Sequence, residues 1–215
     1  MMMRKIALSV SLMCLATIPA GAQTDAKAQA ILQNVSKKIN GLKSLKANFS
    51  LHLSGGKVNE TKKGTFAMKG QKYHVLLNGQ EIICDTKTIW TYTKDDNSVQ
   101  VSAYDPNAQT ISPAKLFTNF YDKEYKYKYV GEQKVNGKAC DVIEMTPIAK
   151  GKQFSKIDLD IDKATNMVVS GNVWEKSGSK YQYDISGFTP NAPLPDTYFT
   201  FDAKAHPGVE VVDLR

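Results

Sequence analysis

The stretch Ile82-Ile83-Cys84-Asp85-Thr86-Lys87-Thr88-Ile89-Trp90-Thr91-Tyr92 decides the fold. Glu81 to Cys84 and Thr88 to Thr93 are rich in β-branched and aromatic residues and are separated by the polar turn Asp85-Thr86-Lys87, which predicts a tight hairpin. Side chains alternate across a strand, so Trp90 and Tyr92 share one face and Ile89 takes the other. One side of the hairpin therefore carries two large aromatics with polar tips. Either they fill an ordinary sandwich core or they line a site for an apolar partner.

Period-two patterning extends on both sides of this hairpin. Phe49, Leu51 and Leu53 alternate with polar residues, and strands follow at Gly64 to Met68, Tyr73 to Leu77 and Val99 to Ala103. Asn78-Gly79 is a two-residue hairpin signal. Beyond the Asp95-Asp96-Asn97 turn, Ser112-Pro113-Ala114 supplies an N-cap-like Ser and a Pro at the first helical position, predicting a short helix with Leu116, Phe117 and Phe120. Strands resume at Tyr125 to Val130, Asp141 to Thr146, Phe154 to Ile161, Met167 to Trp174, Lys180 to Phe188, Tyr198 to Phe201 and Val209 to Val212. Asn136-Gly137 and Ser177-Gly178-Ser179 are the turns.

Before the strands, Ala28, Ile31, Leu32, Val35 and Ile39 recur at helical spacing between Asp25 and Leu45, with Gly41 as the expected stop. No second long helix is available to pair with it, so its apolar face should lie on a sheet. About eleven strands at hairpin spacing with two or three helical pieces predict a mainly β (α+β) fold, a curved antiparallel sheet or unclosed barrel.

At the N-terminus, Arg4 and Lys5 precede the apolar run Ile6 to Ile18, and Ala20-Gly21-Ala22 fits an A-x-A cleavage site. Residues 1–22 read as a secretory signal peptide and 23–215 as one domain, 193 residues once 22 are taken from 215. Met13 before Cys14 spoils a lipoprotein signal, so no lipid anchor is expected there. Losing Arg4 and Lys5 lowers the formal net charge from +7 to +5. An exported basic chain rarely meets nucleic acid, so the charge suits an acidic partner surface or the edge of an anionic membrane. Of the three cysteines, Cys84 and Cys140 remain after processing, either bridged or packed separately.

The motifs for chemistry are incomplete. Asp158, Asp160 and Asp162 begin like a Ca²⁺ loop, but Lys163 stands where the turn glycine belongs and Val169 where a glutamate should close the site. They read instead as solvent-facing residues of a strand whose Ile157, Leu159 and Ile161 face the core. Ser177-Gly178-Ser179-Lys180 has the S-x-x-K spacing of acyl-enzymes without its companion motifs, and His52, His74 and His206 are scattered. The expectation is no catalytic residue, no metal and no cofactor.

The hairpin resembles the "IVSDGKTLWxY" signature of the LolA family, periplasmic carriers of outer-membrane lipoproteins. In the same order, Leu45-Lys46-Ala47-Asn48-Phe49 is similar to "vxsfxAxFxQ", Gly64-Thr65-Phe66-Ala67-Met68 to "GxlwvkrP", and the Ser112-Pro113 helix to "TPxxLL". Asp141 to Pro147 is similar to "xxLxLxPK", and Phe199-Thr200-Phe201 with Pro207 to Asp213 to "FxFxxPxGVdVid".

The resemblance implies an unclosed antiparallel β-barrel of about eleven strands with a helical lid over an apolar, acyl-binding cavity. Phe49, Phe66, Met68, Tyr73, Ile82, Trp90, Tyr92, Phe117, Met145 and Trp174 are the expected lining, with Tyr73 at the cavity mouth. Lys69 and Lys72 fall where the family has an arginine that latches the lid, and lysine lacks its planar fork. The implied cargo is acylated lipoproteins, received by a periplasmic monomer from a LolCDE-like ABC transporter and passed to a LolB-like outer-membrane acceptor. The rival reading is an extracytoplasmic lipid-binding or lipoprotein-sensing module with a similar pocket.

Overall fold

The computed structural model describes residues 25–106 and 125–215. The expected leader at 1–22, Cys14, and the Ser112-Pro113 helix with Leu116, Phe117 and Phe120 lie outside the described residues.

Helix α1 (Ala26–Asn40) starts where Asp25 caps it: one carboxylate oxygen accepts from the N–H of Lys27 and Ala28, and the other from Tyr129 N–H at 2.9 Å. The cap thus satisfies orphan donors of the helix and pins its start to the sheet. Those three backbone donors, Tyr129 foremost, hold the Asp25 carboxyl below the usual carboxylate range. Ala28, Leu32, Val35 and Ile39 are buried along one face. The helix stops at Gly41, the expected residue, whose N–H returns to Lys37 O, and Leu45 is already paired as a strand residue.

Twelve strands follow: β1 (Leu45–Gly55), β2 (Val58–Lys69), β3 (Lys72–Leu77), β4 (Gln80–Cys84), β5 (Thr88–Thr93), β6 (Ser98–Ala103), β7 (Tyr125–Val135), β8 (Lys138–Pro147), β9 (Phe154–Asp162), β10 (Met167–Glu175), β11 (Lys180–Pro190) and β12 (Glu210–Asp213). They form one sheet in the order β12-β6-β5-β4-β3-β2-β1-β11-β10-β9-β8-β7. Two hairpin meanders are joined where β1 pairs with β11, and β7 and β12 remain as separate edges, so the barrel is open as expected. Asn78-Gly79 and Asn136-Gly137 turn the chain with φ of 47° and 87°, and 49° and 80°, the left-handed geometry that Asn-Gly tolerates.

Two differences from expectation concern the C-terminus. Tyr198 to Phe201 does not form a strand; Asp196–Phe199 is a 3₁₀ turn, because Pro193 and Pro195 cannot donate to a ladder and Pro195 sits at the turn's start. The chain then crosses the sheet and adds β12 beside β6 in parallel, the one non-antiparallel pair among the described strands. Cys84 on β4 and Cys140 on β8 are both buried and free.

Candidate functional site: the inner face of the open sheet

Strand register sorts the side chains into two faces. Residues directly opposite one another share a face, so Phe66, Val75 and Ile82 belong together, as do Met68, Tyr73, Cys84 and Ile89. The same face continues through Leu45 and Phe49 to Ile185, Val173, Leu159, Ile143 and Tyr129. It meets Leu32 and Val35 of α1 in one contiguous core. This is the inner face.

Six of the expected lining residues lie on it: Phe49, Phe66, Met68, Tyr73, Ile82 and Met145. They are not equivalent. Phe66, Met68, Tyr73 and Met145 are buried, whereas Phe49 and Ile82 are half-buried. Tyr73 is 3% exposed, so it is not at a mouth; burial, with the neighbouring Cys84 thiol, pushes its phenol well above the usual tyrosine range. Phe49 lies against Gly64 on β2, where an added Cβ would sit 2.6 Å from the ring and 2.3 Å from Leu76 O. Glycine makes room for the ring.

Exposure along this face is graded. Toward the β2–β3 hairpin, Leu45, Met68, Tyr73 and Cys84 are buried, with Ile89, Tyr104 and Phe188 half-buried at the margin. Toward the opposite rim, where β1 meets β2 and β10 meets β11, Leu53, Phe49, Leu77, Val173, Tyr181, Tyr183 and Ile185 are all half-buried. Among the described residues the interior is packed shut at one end and half-exposed at the other, with Leu51 buried between Phe49 and Leu53. Val173, Tyr181 and Ile185 escaped the sequence reading, although their alternation with Asn172, Gln182 and Asp184 marks them as one face.

Trp90 and Tyr92, expected in the lining, are on the outer face. Ile83 stands opposite Trp90 and Glu81 opposite Tyr92, and these rows exclude Ile82 and Ile89. A buried layer exists here too: Ala67, Ile83, Tyr92, Val99 and Val101 are buried beneath the C-terminal segment, whose Phe199 is wholly buried. The Tyr92 ring packs at a tilt against Phe201 at 5.6 Å and His206 at 4.3 Å, and its hydroxyl donates to Asn97 at 3.1 Å. Both faces of this half of the sheet are apolar because both are covered. Trp174 is also outside, opposite Lys156 and Lys180, whose ammonium groups lie 4.1 and 5.3 Å from its ring.

Lys69 and Lys72 hold the C-terminal segment. Their ammonium groups reach Asp196 at 2.9 and 3.2 Å, and Lys69 also donates to Leu194 O at 3.2 Å. The two cations keep the Asp196 carboxyl below its usual range. Point charges on flexible stems converge readily on one carboxylate, a role that does not need the planar fork of arginine.

Ile157, Leu159 and Ile161 face the core as expected, but Asp160 and Asp162 are not solvent-facing: each is 4% exposed. Asp160 accepts from Gln133, and Asp162 caps the turn through Ala164 N–H and the Thr165 hydroxyl, both at 2.9 Å. Burial pushes the Asp158 and Asp160 carboxyls up. No three His, Cys, Asp or Glu side chains of the described residues are grouped to hold a metal ion, and no described helix is long and apolar enough to cross a membrane.

Residues 40–202 match the family described as outer membrane lipoprotein carrier protein LolA. An uncharacterized protein of Methanocaldococcus jannaschii is 24% identical over 191 residues, covering 85% of this chain and 53% of its own length. The chain thus spans about half of that curated relative. An uncharacterized conserved protein of Thermus thermophilus superposes with a TM-score of 0.61 at 15% identity, over 87% of this chain and 99% of the other. Lipoprotein LppX of Mycobacterium tuberculosis gives 0.51 at 14% identity, over 80% and 99%. At such identities the structural likeness is one of fold.

Proposed function

Because the chain belongs to the LolA family, we propose that it is an exported carrier that takes the acyl chains of lipoproteins into its inner face and moves them from the inner to the outer membrane. The observation that supports this reading is the graded inner face: an apolar sheet interior packed shut at one end and half-exposed at Phe49, Leu53, Leu77, Val173 and Tyr181 at the other. A filled structural core has no use for such a gradient. Alkyl chains do, because they enter end first and need no polar partner.

Energetics set how the chains are held. Each buried methylene contributes about 0.8 kcal/mol, so complete burial of several long chains passes the noncovalent ceiling of about 18–21 kcal/mol and forbids release. Half-buried tyrosine and aliphatic walls provide partial burial, which keeps transfer reversible. The side chains of this face do binding, not chemistry, and the reading includes no enzymatic step. Residues 1–22 act as a cleaved export signal, the mature domain works as a periplasmic monomer, and its partners are a LolCDE-like releasing transporter and a LolB-like acceptor.

Mass spectrometry of material co-purifying with the protein from the periplasm tests the cargo, and depletion tests the route. Acylated lipoproteins on the protein, with lipoproteins stranded at the inner membrane on depletion, support the carrier. Free lipids on the protein with unchanged sorting overturn it in favour of a lipid-binding module.

A further inference from the structure

Three hairpin tips lie side by side along the half-open rim. Ser54 at the end of β1 pairs with Lys180, and a Cβ on Gly55 would come within 2.9 Å of Ser179 Cα, which sets the β1–β2 tip against the β10–β11 tip. Glu175 pairs with Phe154, Lys176 N–H donates to Gln153 O at 2.9 Å, and Lys176 Nζ donates to Lys150 O at 2.7 Å, which joins the β10–β11 tip to the β8–β9 tip. Val58 and Ile148 stand on this row, each 53% exposed.

The same row is cationic. Lys57, Lys150 and Lys176 are exposed and Lys180 is half-buried against Trp174, with Glu175 as the acid among them. Six lysines of the described residues are matched to carboxylates, among them Lys69 and Lys72 to Asp196, Lys156 to Glu144 and Asp158, and Lys163 to Glu132, and none of the six stands at these three tips. Lys57, Lys150, Lys176 and Lys180 form no such pair with any described residue. Unmatched cations beside two solvent-exposed aliphatic tips and an amphipathic tryptophan are the chemistry of an anionic lipid surface, where ammonium groups meet phosphates and Val, Ile and Trp enter the headgroup boundary.

We propose that this rim docks the protein on an anionic bilayer, with Lys57, Lys150, Lys176 and Lys180 on lipid phosphates and Val58 and Ile148 inserted between headgroups. It rests on the carrier reading and gives it a direction. Docking by these tips sets Leu53, Val173 and Tyr181, the half-buried mouth of the inner face, against the lipid surface from which an acyl chain leaves or to which it returns. Attachment through lysines is weak and reversible, each contributing about fivefold in partitioning, which suits a protein that must depart again.

Sedimentation with vesicles of phosphatidylcholine containing about one-third phosphatidylglycerol, against phosphatidylcholine alone, tests this with the full processed chain. Binding to the anionic vesicles that is released by salt, and reduced at least about tenfold by Lys150→Glu with Lys176→Glu and again by Val58→Asp with Ile148→Asp, is the expected result. Uptake of a fluorescent fatty acid by the same variants separates the two levels of inference. Retained uptake without any preference of the wild type for anionic vesicles overturns the docking rim and leaves the carrier reading intact, with an acidic protein as the better partner. Lost uptake in the wild type overturns the carrier reading itself.

Discussion

His74 and Glu81 meet on the outer face, Nε2 to Oε1 at 2.6 Å, at an angle short of a well-aligned hydrogen bond. The other ring nitrogen lies 2.9 Å from Tyr198 O, and the imidazole packs at a tilt against the Tyr198 ring at 4.7 Å. One side chain therefore joins β3, β4 and the C-terminal segment. His74, with His206 as a more distant positive influence, holds the Glu81 carboxyl below the usual carboxylate range. A carboxyl lowered in the folded state adds stability above its ordinary range and loses it as pH falls through the lowered value. Glu81→Gln should therefore melt below the wild type near neutrality, and the gap should narrow as pH falls below the ordinary carboxylate range. A gap that stays constant with pH would sink the assignment. His74→Ala, which leaves Glu81 without its imidazole partner, should cost about 1–3 kcal/mol near neutrality by urea denaturation.

The C-terminal segment is held by burial more than by charge. Phe199 is wholly buried, so Phe199→Ala should cost about 3–5 kcal/mol. Asp196, exposed and paired with two half-buried lysines, should matter little: Asp196→Asn is expected to shift the melting temperature slightly, and less still in high salt. If Asp196→Asn proved as damaging as Phe199→Ala, the ion pairs with Lys69 and Lys72 would be the true fastening.

The turn of the central hairpin carries a local strain. Thr86 has φ of 84°, a left-handed value that a β-branched residue adopts at a cost, and its N–H points to Cys84 Sγ at 3.4 Å. The hairpin signature that this stretch resembles has glycine at that place. Thr86→Gly should raise stability by about 0.5–1 kcal/mol, relief of the left-handed strain exceeding the added chain entropy of glycine. An unchanged or lower urea midpoint would mean that the Thr86 side chain stabilises the turn in some other way.

How legible this molecule was depends on the kind of residue. Alternation in Phe49-Leu51-Leu53 and the Asn-Gly pairs at 78–79 and 136–137 fixed strands and turns because period and φ preference are local properties. Alternation also separated Ile89 from Trp90 and Tyr92, whereas Ile82 reads together with Trp90 because the register between the two strands is not local. Alternation does not say which set faces inward. That depends on the segment from Ala192 to Val209 folding back over the sheet, and proline-interrupted sequence without periodicity gives no local sign of where it will lie. Trp174 was misplaced for a related reason: a large aromatic reads as core until Lys156 and Lys180, distant in sequence, are seen on either side of it. Asp160 and Asp162 read as exposed because carboxylates usually are, whereas Gln133, Ala164 and Thr165 supply the hydrogen bonds that let them be buried.

The two faces of the central hairpin can be tested apart. Ile82 is half-buried on the inner face, two positions from Cys84, while Trp90 is half-buried on the outer face opposite Ile83. Ile82→Glu puts a charge where an acyl chain would lie, and a carboxylate resists burial beside hydrocarbon by several kcal/mol, yet in the empty protein it can stay hydrated. It should fold near the wild-type melting temperature and lose at least about tenfold in affinity for a fluorescent fatty acid. Trp90→Ala removes outer-face packing only, so it should cost about 1–3 kcal/mol of stability, less than a fully buried aromatic would, and leave that affinity unchanged. Tyr73→Glu belongs to neither case, since a buried ring replaced by a carboxylate should prevent stable folding. If Trp90→Ala abolished fatty-acid binding while Ile82→Glu spared it, the ligand would lie on the outer face beneath the C-terminal segment, and the inner face would be only a core.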